Sequence, residues 1–451
     1  MCISYRKVGT AMENHDNGTP RRQAPRRKRR SPIQIFVRQY LPILVIVALI
    51  VLFIIFAVGS VRRANEKREQ ARQESLAVES SIAEEKRLLG IEAQALIDEA
   101  AKHAASCDFD KAIEVLDSFT GDPDEYPDLL NARYTYENGE DTLVLWEDVK
   151  SVPVLSFGRL LVDDGSDPFD GKTGSDDRYY NITTGEFTAI LEQLYNNGFM
   201  LVDLYDLFTT TKAEDGSTLI VTNELKLPAG KKPILLIHCQ PEGYNNPLVL
   251  TDEGFETQLS QEDGTTTLGD FDFVPLLESF IETHAGFSYR GARGIIAVTA
   301  YNGLFGHSLE DTATINQLIS ALRETGYTIA GNTYGNERYG KLDLLEVQDD
   351  LAKWEANAEP LLGDTEVLVY ARSSDISNDK SAYTSKKYEK LYMAGFRYYF
   401  GLCYNSSPWM TVSENTVRIG RLMVTGNNLE QKDAFFANLF DSAAVMDPHR
   451  K

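Results

Sequence analysis

The chain has 451 residues, of which 43% are hydrophobic and 10% aromatic, so it holds enough apolar side chains for a folded core. This composition excludes a protein that is disordered throughout, and the length has room for one large domain with appendages or for two domains. The net charge is −22, but residues 1–63 by themselves carry +10, so the remaining chain carries −32. Such an acidic body argues against nucleic-acid binding, which needs clustered Lys and Arg.

An uncharged apolar stretch, residues 40–61, follows a basic run at residues 26–30. About 20 apolar residues span a membrane, and an excess of Lys and Arg on one side places that side in the cytoplasm. A cleaved signal peptide is the alternative, but the preceding segment is too long and no small-residue cleavage site follows. The sequence predicts a basic cytoplasmic tail at 1–39, a single transmembrane helix at 40–61 and a main domain outside the cell.

Residues 62–149 are predicted to form a helical stalk that ends in a helical hairpin. Up to residue 105 the segment is rich in Ala, Glu, Lys, Arg and Gln and contains no proline, which favours a long helix. Ile82, Leu89 and Leu96 recur every seven residues, but a coiled coil needs three or four heptads, so only weak self-association is expected. Residues 95–116 resemble one tetratricopeptide unit, and a single copy cannot stack into a solenoid.

Beyond residue 150, short apolar runs alternate with amphipathic segments. This alternation predicts an α/β fold, a barrel or parallel sheet with helices outside. The predicted strands are residues 152–156, 200–202, 234–238, 294–299, 327–330, 366–370 and 396–401. The predicted helices include residues 184–197, 273–283, 312–324 and 385–394. In barrel enzymes the chemistry lies at the carboxyl ends of the strands.

Two segments lie where predicted strands end. One is His238-Cys239-Gln240 and the other is the stretch Gly-Asn-Thr-Tyr-Gly-Asn at residues 331–336. In order and spacing, residues 150–430 resemble the polysaccharide deacetylases (carbohydrate esterase family four), in particular a membrane-anchored bacterial branch. In that family one strand ends in a T-F-D-D-G type motif and a later one in H-T-x-x-H. The resemblance implies a distorted (β/α) barrel of this type over 150–430, followed by a C-terminal helix and tail at 431–451.

The resemblance also implies which residues occupy the family's site. Two aspartates and two histidines there supply a base and the ligands of a divalent metal, which polarises the acetamide and activates a water. On this chain Cys239 matches the base, Gln240 the metal-binding carboxylate, and Asn332 and Asn336 the imidazoles. Zinc favours cysteine, histidine and carboxylate ligands. We therefore expect no metal, no other cofactor and no catalytic residue.

The groove of the family is expected to persist as a binding site. Tyr301, Arg372 and Asp375 are the predicted substrate-binding residues, because they offer hydrogen bonds and an aromatic face of the kind on which sugars stack. Trp409 and Tyr404 are further aromatic candidates, and ordinary packing is the alternative for all of them. The expected function is that of a catalytically inactive, extracytoplasmic protein that binds a cell-envelope polysaccharide or peptidoglycan, or scaffolds a partner.

Two other functions stay open at this stage. The first is an active hydrolase, a carbohydrate de-N-acetylase or esterase acting on cell-wall polysaccharide through an atypical site. Such a site would use Cys239 with His307 as its base, or a carboxylate pair of Glu242 and Asp375. The second is a structural adaptor whose stalk and hairpin recruit partners.

Two residues of the first segment carry further expectations. His238 is expected to be buried against the outer helices, since neighbours on a strand point to opposite faces. Cys239 and Cys403 both follow apolar runs and could form a disulfide. Isolated thiols fit the four cysteines of the chain better.

Overall fold

The structure, a computed structural model, describes residues 32–163, 168–169, 177–240, 246–260, 264–403, 407–431 and 433–450. The chain separates into two compact units, residues 1–86 and 87–451. The second unit contains the helical hairpin and the barrel. The domain boundaries drawn from the sequence stay predictions.

Helices and strands alternate through most of the second unit, as expected. The α-helices are α1 (Pro32–Ala105), α2 (Phe109–Asp117), α3 (Pro127–Glu137), α4 (Asp177–Tyr180), α5 (Thr184–Asn196), α6 (Leu204–Leu207), α7 (Phe273–Thr283), α8 (Thr312–Thr325), α9 (Leu344–Asn357), α10 (Glu359–Leu362), α11 (Lys386–Met393), α12 (Gly426–Gln431) and α13 (Ser442–Val445). The strands are β1 (Leu143–Leu145), β2 (Val154–Phe157), β3 (Leu160–Leu161), β4 (Ile182–Thr183), β5 (Phe199–Leu201), β6 (Phe208–Lys212), β7 (Thr218–Thr222), β8 (Lys226–Pro228), β9 (Lys232–Gln240), β10 (Leu248–Thr251), β11 (Gly254–Ser260), β12 (Thr266–Gly269), β13 (Ile295–Val298), β14 (Thr328–Gly331), β15 (Val367–Val369), β16 (Tyr398–Leu402), β17 (Met410–Val412) and β18 (Val417–Val424).

The first helix, α1, carries the apolar stretch. Within it, Tyr40–Ala105 contains an 18-residue window with a mean hydropathy of 3.5 and no buried side chains. By length and composition this helix is able to cross a membrane, which is the property that the sequence predicted for residues 40–61. The helix ends at Ala105, before the hairpin.

The hairpin packs around its own small apolar core. Ala93 and Ala100 near the end of α1 contact Ala112 and Leu116 of α2 and Leu129 of α3 in one buried cluster. Two members of the predicted heptad series, Leu89 and Leu96, pack against this cluster. Their apolar side chains are therefore engaged within the chain.

Seven parallel strands of the described residues close into a barrel. Around the ring they run β2, β9, β13, β14, β15, β16 and β18, and β18 pairs with β2 to complete it. Strands buried on both faces are rich in Val, Ile, Leu and aromatic residues, since the interior covers one face and the outer helices the other. The (β/α) barrel predicted from the sequence is confirmed.

Strand β18 is the element that sequence patterning missed. Its sequence, VRIGRLMV, places two arginines inside an otherwise apolar strand, although Arg418 and Arg421 are both buried. The predicted strand at residues 200–202 forms as β5, but it lies outside the closed ring. It pairs with the first residues of β9, and its Leu201 also forms an isolated bridge with Ser288. The other six predicted strands all form and belong to the ring.

The side chains inside the barrel follow the alternation of each strand. Leu235 and Ile237 of β9 belong to an interior cluster, whereas Ile234 and Leu236 pack outwards among the helices. The same interior cluster takes alternate residues from the other six strands, which are Val154, Ile295, Ala297, Ala330, Val367, Val369, Tyr398, Phe400, Val417 and Ile419. The lower layers of the barrel are therefore filled by apolar side chains, as in other closed barrels.

The C-terminal residues are tied to the start of α5 by a buried ion pair. The Arg450 guanidinium donates to both carboxylate oxygens of Glu186, at 2.5 and 2.9 Å, and both side chains are at most 1% exposed. Its Nη1 donates to the Arg178 carbonyl oxygen, and its Nη2, which already donates to Glu186, also donates to the Asn181 carbonyl oxygen. Glu186 also accepts from the Thr183 N–H and completes a capping box on α5.

Removing Arg450 should therefore destabilise the second unit strongly. We expect Arg450→Met to lower the free energy of unfolding by about 3–5 kcal/mol, because Glu186 would keep a buried charge without its partner. Urea denaturation of the full chain in detergent, followed by tryptophan fluorescence, measures the loss. The control is Lys386→Met, which breaks the exposed pair with Glu389 and should cost under about 1 kcal/mol. Equal losses in the two variants would contradict the expectation.

Candidate functional site

A cavity of about 520 Å³ opens at the carboxyl ends of the barrel strands. Ligand sites commonly have volumes of roughly 300–1,000 Å³. The described residues that line it come from the ends of β2, β9 and β18, from α4 and from the loops that follow β2, β14 and β15: Ser156, Phe157, Gly158, Arg159, Tyr180, Asn181, Cys239, Asn332, Asn336, Arg338, Arg372, Ser373, Arg421 and Met423.

The floor of the cavity is the top layer of the barrel interior. Counting in steps of two from the interior residues Val154, Ile237, Ala330 and Ile419 leads to four polar side chains. These are Ser156, Cys239, Asn332 and Arg421, and all four line the cavity. Every second residue of a strand points into the barrel, so the strands that bury apolar side chains in the lower layers place polar side chains in the top layer.

The two segments singled out in the sequence meet in this cavity. Strand β13 lies between them, with Cys239 of β9 opposite Ala297 and Gly331 of β14 opposite Val298. Cys239, Asn332 and Asn336 line the cavity together, although they are far apart in sequence. The backbone of Gln240 ends β9, and its side chain lies outside the described residues.

Asn332 joins the ends of two neighbouring strands. Its side-chain amide donates to the Val369 carbonyl oxygen at 2.7 Å, and its backbone N–H donates to the Val298 carbonyl oxygen at 2.8 Å. The side chain is buried. The amide nitrogen is thus committed to holding β15 beside β14.

Asn336 presents a buried amide to the cavity. Its side chain is 6% exposed, and its Oδ1 has no hydrogen-bond partner among the described residues. Its φ of 57° lies in the left-handed region, which Asn tolerates better than most residues. A buried carbonyl oxygen without a donor costs free energy, so this amide is poised to bind a polar ligand.

The loop that carries Asn336 is organised from below by Asp350 of α9. One carboxylate oxygen accepts from the Gly335 N–H, and the other accepts from the Tyr334 N–H and the Tyr339 hydroxyl, at 2.7–2.9 Å. Thr333 in the same loop also has a positive φ, of 62°. The loop is therefore held in a specific, locally unfavourable conformation by a buried carboxylate.

A second unfavourable turn follows β15 on the other side of the cavity. Arg372 and Ser373 have consecutive positive φ values of 48° and 55°. The turn exposes Arg372, and the Ser373 hydroxyl donates to the Met423 sulfur at 2.7 Å. Backbone conformations of this kind cost of order 1–3 kcal/mol each and cluster at functional sites.

Arg421 is one of several lining residues that sequence reasoning missed, along with Ser156, Tyr180 and Arg338. It is 1% exposed, and it donates to the Ser156 hydroxyl at 2.7 Å and to the Tyr370 carbonyl oxygen at 2.9 Å. A signal was available, because an arginine two positions after the buried Ile419 continues the inward register of β18. This signal depends on β18 being a barrel strand, and its two arginines hide that pattern.

Cys239 holds a neutral thiol. Burial raises the pKa of Cys239 above its ordinary value, and the nearby Arg421 guanidinium lowers it by a smaller amount. Cys239, Cys107 and Cys403 are all free cysteines, so the disulfide considered between Cys239 and Cys403 is not formed. A protonated thiol is a poor nucleophile at neutral pH.

The neighbouring histidine faces the other way. His238 stacks on Phe273 of α7 with ring centroids 5.0 Å apart, and its Nε2 lies 3.8 Å from a carboxylate oxygen of Asp272. Burial lowers the pKa of His238, and the Asp272 carboxylate partly opposes this. The histidine is thus buried against an outer helix, as the strand alternation predicted.

The predicted substrate-binding residues separate into two groups. Arg372 lines the cavity, whereas Tyr301 and Asp375 are not among its described lining residues. Asp375 accepts from the Tyr383 hydroxyl at 2.6 Å and from Arg418 at 3.0 Å, within a buried ion pair. Asp375 therefore serves the packing around β18, and the binding roles of Tyr301 and Arg372 stay predictions.

The other residues proposed from the sequence for binding or catalysis do not line the described part of the cavity. Trp409 packs over Gly420 of β18, where its ring occupies the space that a Cβ atom would need. His307 Nε2 lies 2.8 Å from the Leu248 carbonyl oxygen and not beside Cys239 in the described cavity lining. Glu242 and Tyr404 lie outside the described residues.

The residues of this cavity do not fit the divalent metal that the family resemblance implies. The matched positions offer a neutral thiol and two amides, and the amide nitrogen of Asn332 already donates to Val369. Arg421 places a permanent positive charge in the same layer, which opposes a cation. Among the described residues no group of three or more His, Cys, Asp or Glu side chains is arranged to hold a metal.

Comparisons with known proteins return structural similarity and no sequence match. No protein-family model matches the chain, and no curated protein matches it significantly. Among solved structures, the chain is similar to the deacetylase PplD of Streptococcus pyogenes in complex with acetate, with 11% identity, coverage of 64% of this chain and 98% of that one, and a TM-score of 0.35. It is also similar to a protein of Mycobacterium smegmatis assigned to the polysaccharide deacetylases, with 15% identity, coverage of 33% and 44%, and a TM-score of 0.23. The barrel assignment rests on the strand pairing described above.

The state of the Cys239 thiol gives a direct test of the site chemistry. We expect its alkylation rate by iodoacetamide to rise about tenfold per pH unit through pH 9, because the raised pKa keeps the thiolate scarce. Peptide-resolved mass spectrometry measures the rate at Cys239 separately from the other cysteines. The same peptide in urea-unfolded protein is the control and should level off near the ordinary pKa of about 8.5. A rate already maximal at pH 7 would show an activated nucleophile instead.

Proposed function

We propose that this chain is a membrane-anchored, extracytoplasmic protein with a polysaccharide deacetylase-like barrel that binds a cell-envelope glycan without hydrolysing it. The observation that carries the proposal is the composition of the top layer of the barrel. Ser156, Cys239, Asn332 and Arg421 are neutral or cationic, so the layer offers hydrogen bonds but neither a metal-binding carboxylate nor a general base. The cavity has the size and position of a ligand site.

The hydrolase alternative receives little support from the same geometry. A Cys239 nucleophile would need a base, yet burial keeps its thiol protonated and His307 is hydrogen-bonded to Leu248. The carboxylate oxygens of Asp375 accept hydrogen bonds from the Tyr383 hydroxyl and from Arg418, so Asp375 is engaged in a buried contact. The site is better suited to binding than to acid–base chemistry.

The membrane anchor is the second part of the proposal. Helix α1 has the length and hydropathy to span a membrane, and the basic residues that precede it in the sequence favour a cytoplasmic N-terminus. This orientation would expose the barrel to the cell envelope, where polysaccharide and peptidoglycan are the abundant polymers.

Metal content and acetate release test the lack of hydrolysis. The full-length protein in detergent, incubated with equimolar zinc and desalted, should retain far less than one zinc per chain and release no acetate from N-acetylglucosamine oligomers. The physical reason is the neutral and cationic donor set. A zinc-dependent deacetylase treated in parallel shows that the assay detects both. Stoichiometric zinc together with turnover would refute the proposal.

Asn336→Gly tests the binding role of the cavity. Glycine removes the amide and relieves the positive φ, so the melting temperature should stay the same or rise. We expect the Kd for N-acetylglucosamine oligomers or soluble peptidoglycan fragments to rise about tenfold, through loss of one hydrogen-bonding group. Titration calorimetry on the full-length protein measures it.

The matched control is Arg290→Gly. It relieves a positive φ of 49° at a residue of a different cavity, so it should leave glycan binding unchanged. Unchanged binding in Asn336→Gly, with the fold intact, would place the glycan site elsewhere.

A further inference from the structure

The cavity at the carboxyl end of the barrel is unusually basic for so acidic a chain. Arg159, Arg338, Arg372 and Arg421 line it, and no Asp, Glu or His is among its described lining residues. Arg159 is paired with Asp177 at 3.0 Å. Four guanidiniums thus lie together in a chain whose net charge is −22.

The cavity at the opposite end of the barrel does not share this excess of positive charge. A second cavity, of about 540 Å³, lies near the amino ends of β14 and β15. Its lining includes two arginines, Arg290 and Arg323, together with four carboxylates, which are Asp203, Asp206, Asp364 and Glu366. Two cavities of similar volume in one barrel thus have opposite charge balance among their described lining residues.

Arg421 is the residue of the basic cavity that an anion would stabilise most. Its guanidinium is buried and always charged. The partners found for it among the described residues, which are the Ser156 and Ser373 hydroxyls and the Tyr370 carbonyl, are all neutral. Its Nε is buried and has no hydrogen-bond partner within the part of the chain that the structure describes. A buried cation with only neutral partners is costly, and an oxyanion in the cavity would remove that cost.

Other lining groups fit the neutral part of a sugar. Tyr180 stands at the cavity with its side chain 57% exposed, so a face of its ring is available for stacking. The buried Asn336 amide can present either its oxygen or its nitrogen by rotation about its last side-chain bond. An aromatic face and an amide beside guanidinium groups match a saccharide that also carries negative charge.

We infer that the cavity binds an acidic saccharide, whose carboxylate or phosphate pairs with Arg421 and with the exposed arginines Arg338 and Arg372. This inference rests on the proposed glycan binding and adds the chemical class of the glycan. Guanidinium groups pair with carboxylates and phosphates through charge-assisted hydrogen bonds. The sugar ring lies against Tyr180, and Asn336 bonds one of its polar groups.

Calorimetric titration of the full-length protein in detergent tests the inference. The probes are a hexuronic acid oligomer, a hexose 6-phosphate and a neutral N-acetylglucosamine oligomer, and inorganic phosphate shows whether the sugar ring is needed. Both acidic probes, or one of them, should bind at least about tenfold more tightly than the neutral oligomer, the value of one charge-assisted contact. Their relative affinities identify the carboxylate or the phosphate as the natural group. The preference should shrink as salt is raised.

Variants assign the effect to the arginines. Arg338→Gln changes an exposed side chain and should weaken the acidic probes about tenfold without altering the melting temperature. Arg421→Gln should remove most of the preference, and Arg421→Lys should retain part of it because the charge remains. Arg290→Gln, at the opposite cavity, is the control and should leave the affinities of all the probes unchanged.

Different outcomes would overturn the preference for acidic saccharides and the proposed glycan binding. Neutral and acidic probes that bind equally, with no effect of Arg338→Gln, would overturn the inference and leave glycan binding standing. An absence of binding to every saccharide would overturn both. Tight binding of inorganic phosphate with no gain from the sugar would also overturn the inference, because the site would then be a simple anion site.

Discussion

The alternation of side chains around a closed ring of strands is the constraint on which the rest of this structure depends. Once seven strands close, every second residue of each must enter the interior, and the lower layers accept only apolar side chains. The same register continues upwards until it reaches Ser156, Cys239, Asn332 and Arg421. The candidate site is therefore the last layer of the barrel core, where the strands end and apolar packing is no longer required.

The chemistry of that top layer favours hydrogen bonding over metal binding. Zinc favours thiolate, imidazole and carboxylate ligands, whereas a layer of a neutral thiol, an amide and a hydroxyl needs only hydrogen bonds. The loops above it remain strained, with positive φ at Asn336, Arg372 and Ser373. Buried contacts, such as those of Asp350 in the Asn336 loop, hold the backbone in this strained conformation. A loop held in this way presents a preorganised surface.

Much of the barrel could be predicted from apolar runs, because strands buried on both faces are continuous apolar segments. Residues 234–238 and 396–401 are clear examples. Strand β18 could not be found in this way, since Arg418 and Arg421 interrupt its apolar pattern. Arg418 is buried only because Asp375 and Tyr383 meet it from a loop about 40 residues earlier in the chain. Single-sequence patterning does not see such a partner, so the strand that closes the barrel was the one overlooked.

Local patterns in the sequence were enough to predict the apolar helix and the order of most barrel strands, and the sequence itself shows uncharged side chains at Cys239, Gln240, Asn332 and Asn336. These features depend on local composition and on short-range periodicity, which a linear chain displays directly. Only the tertiary structure decided that Arg421 stands beside Cys239, that Asp375 is committed to Arg418, and that four arginines share one cavity. Those facts depend on which strands are neighbours in the ring, and strand pairing joins residues too distant in sequence for any local pattern to connect.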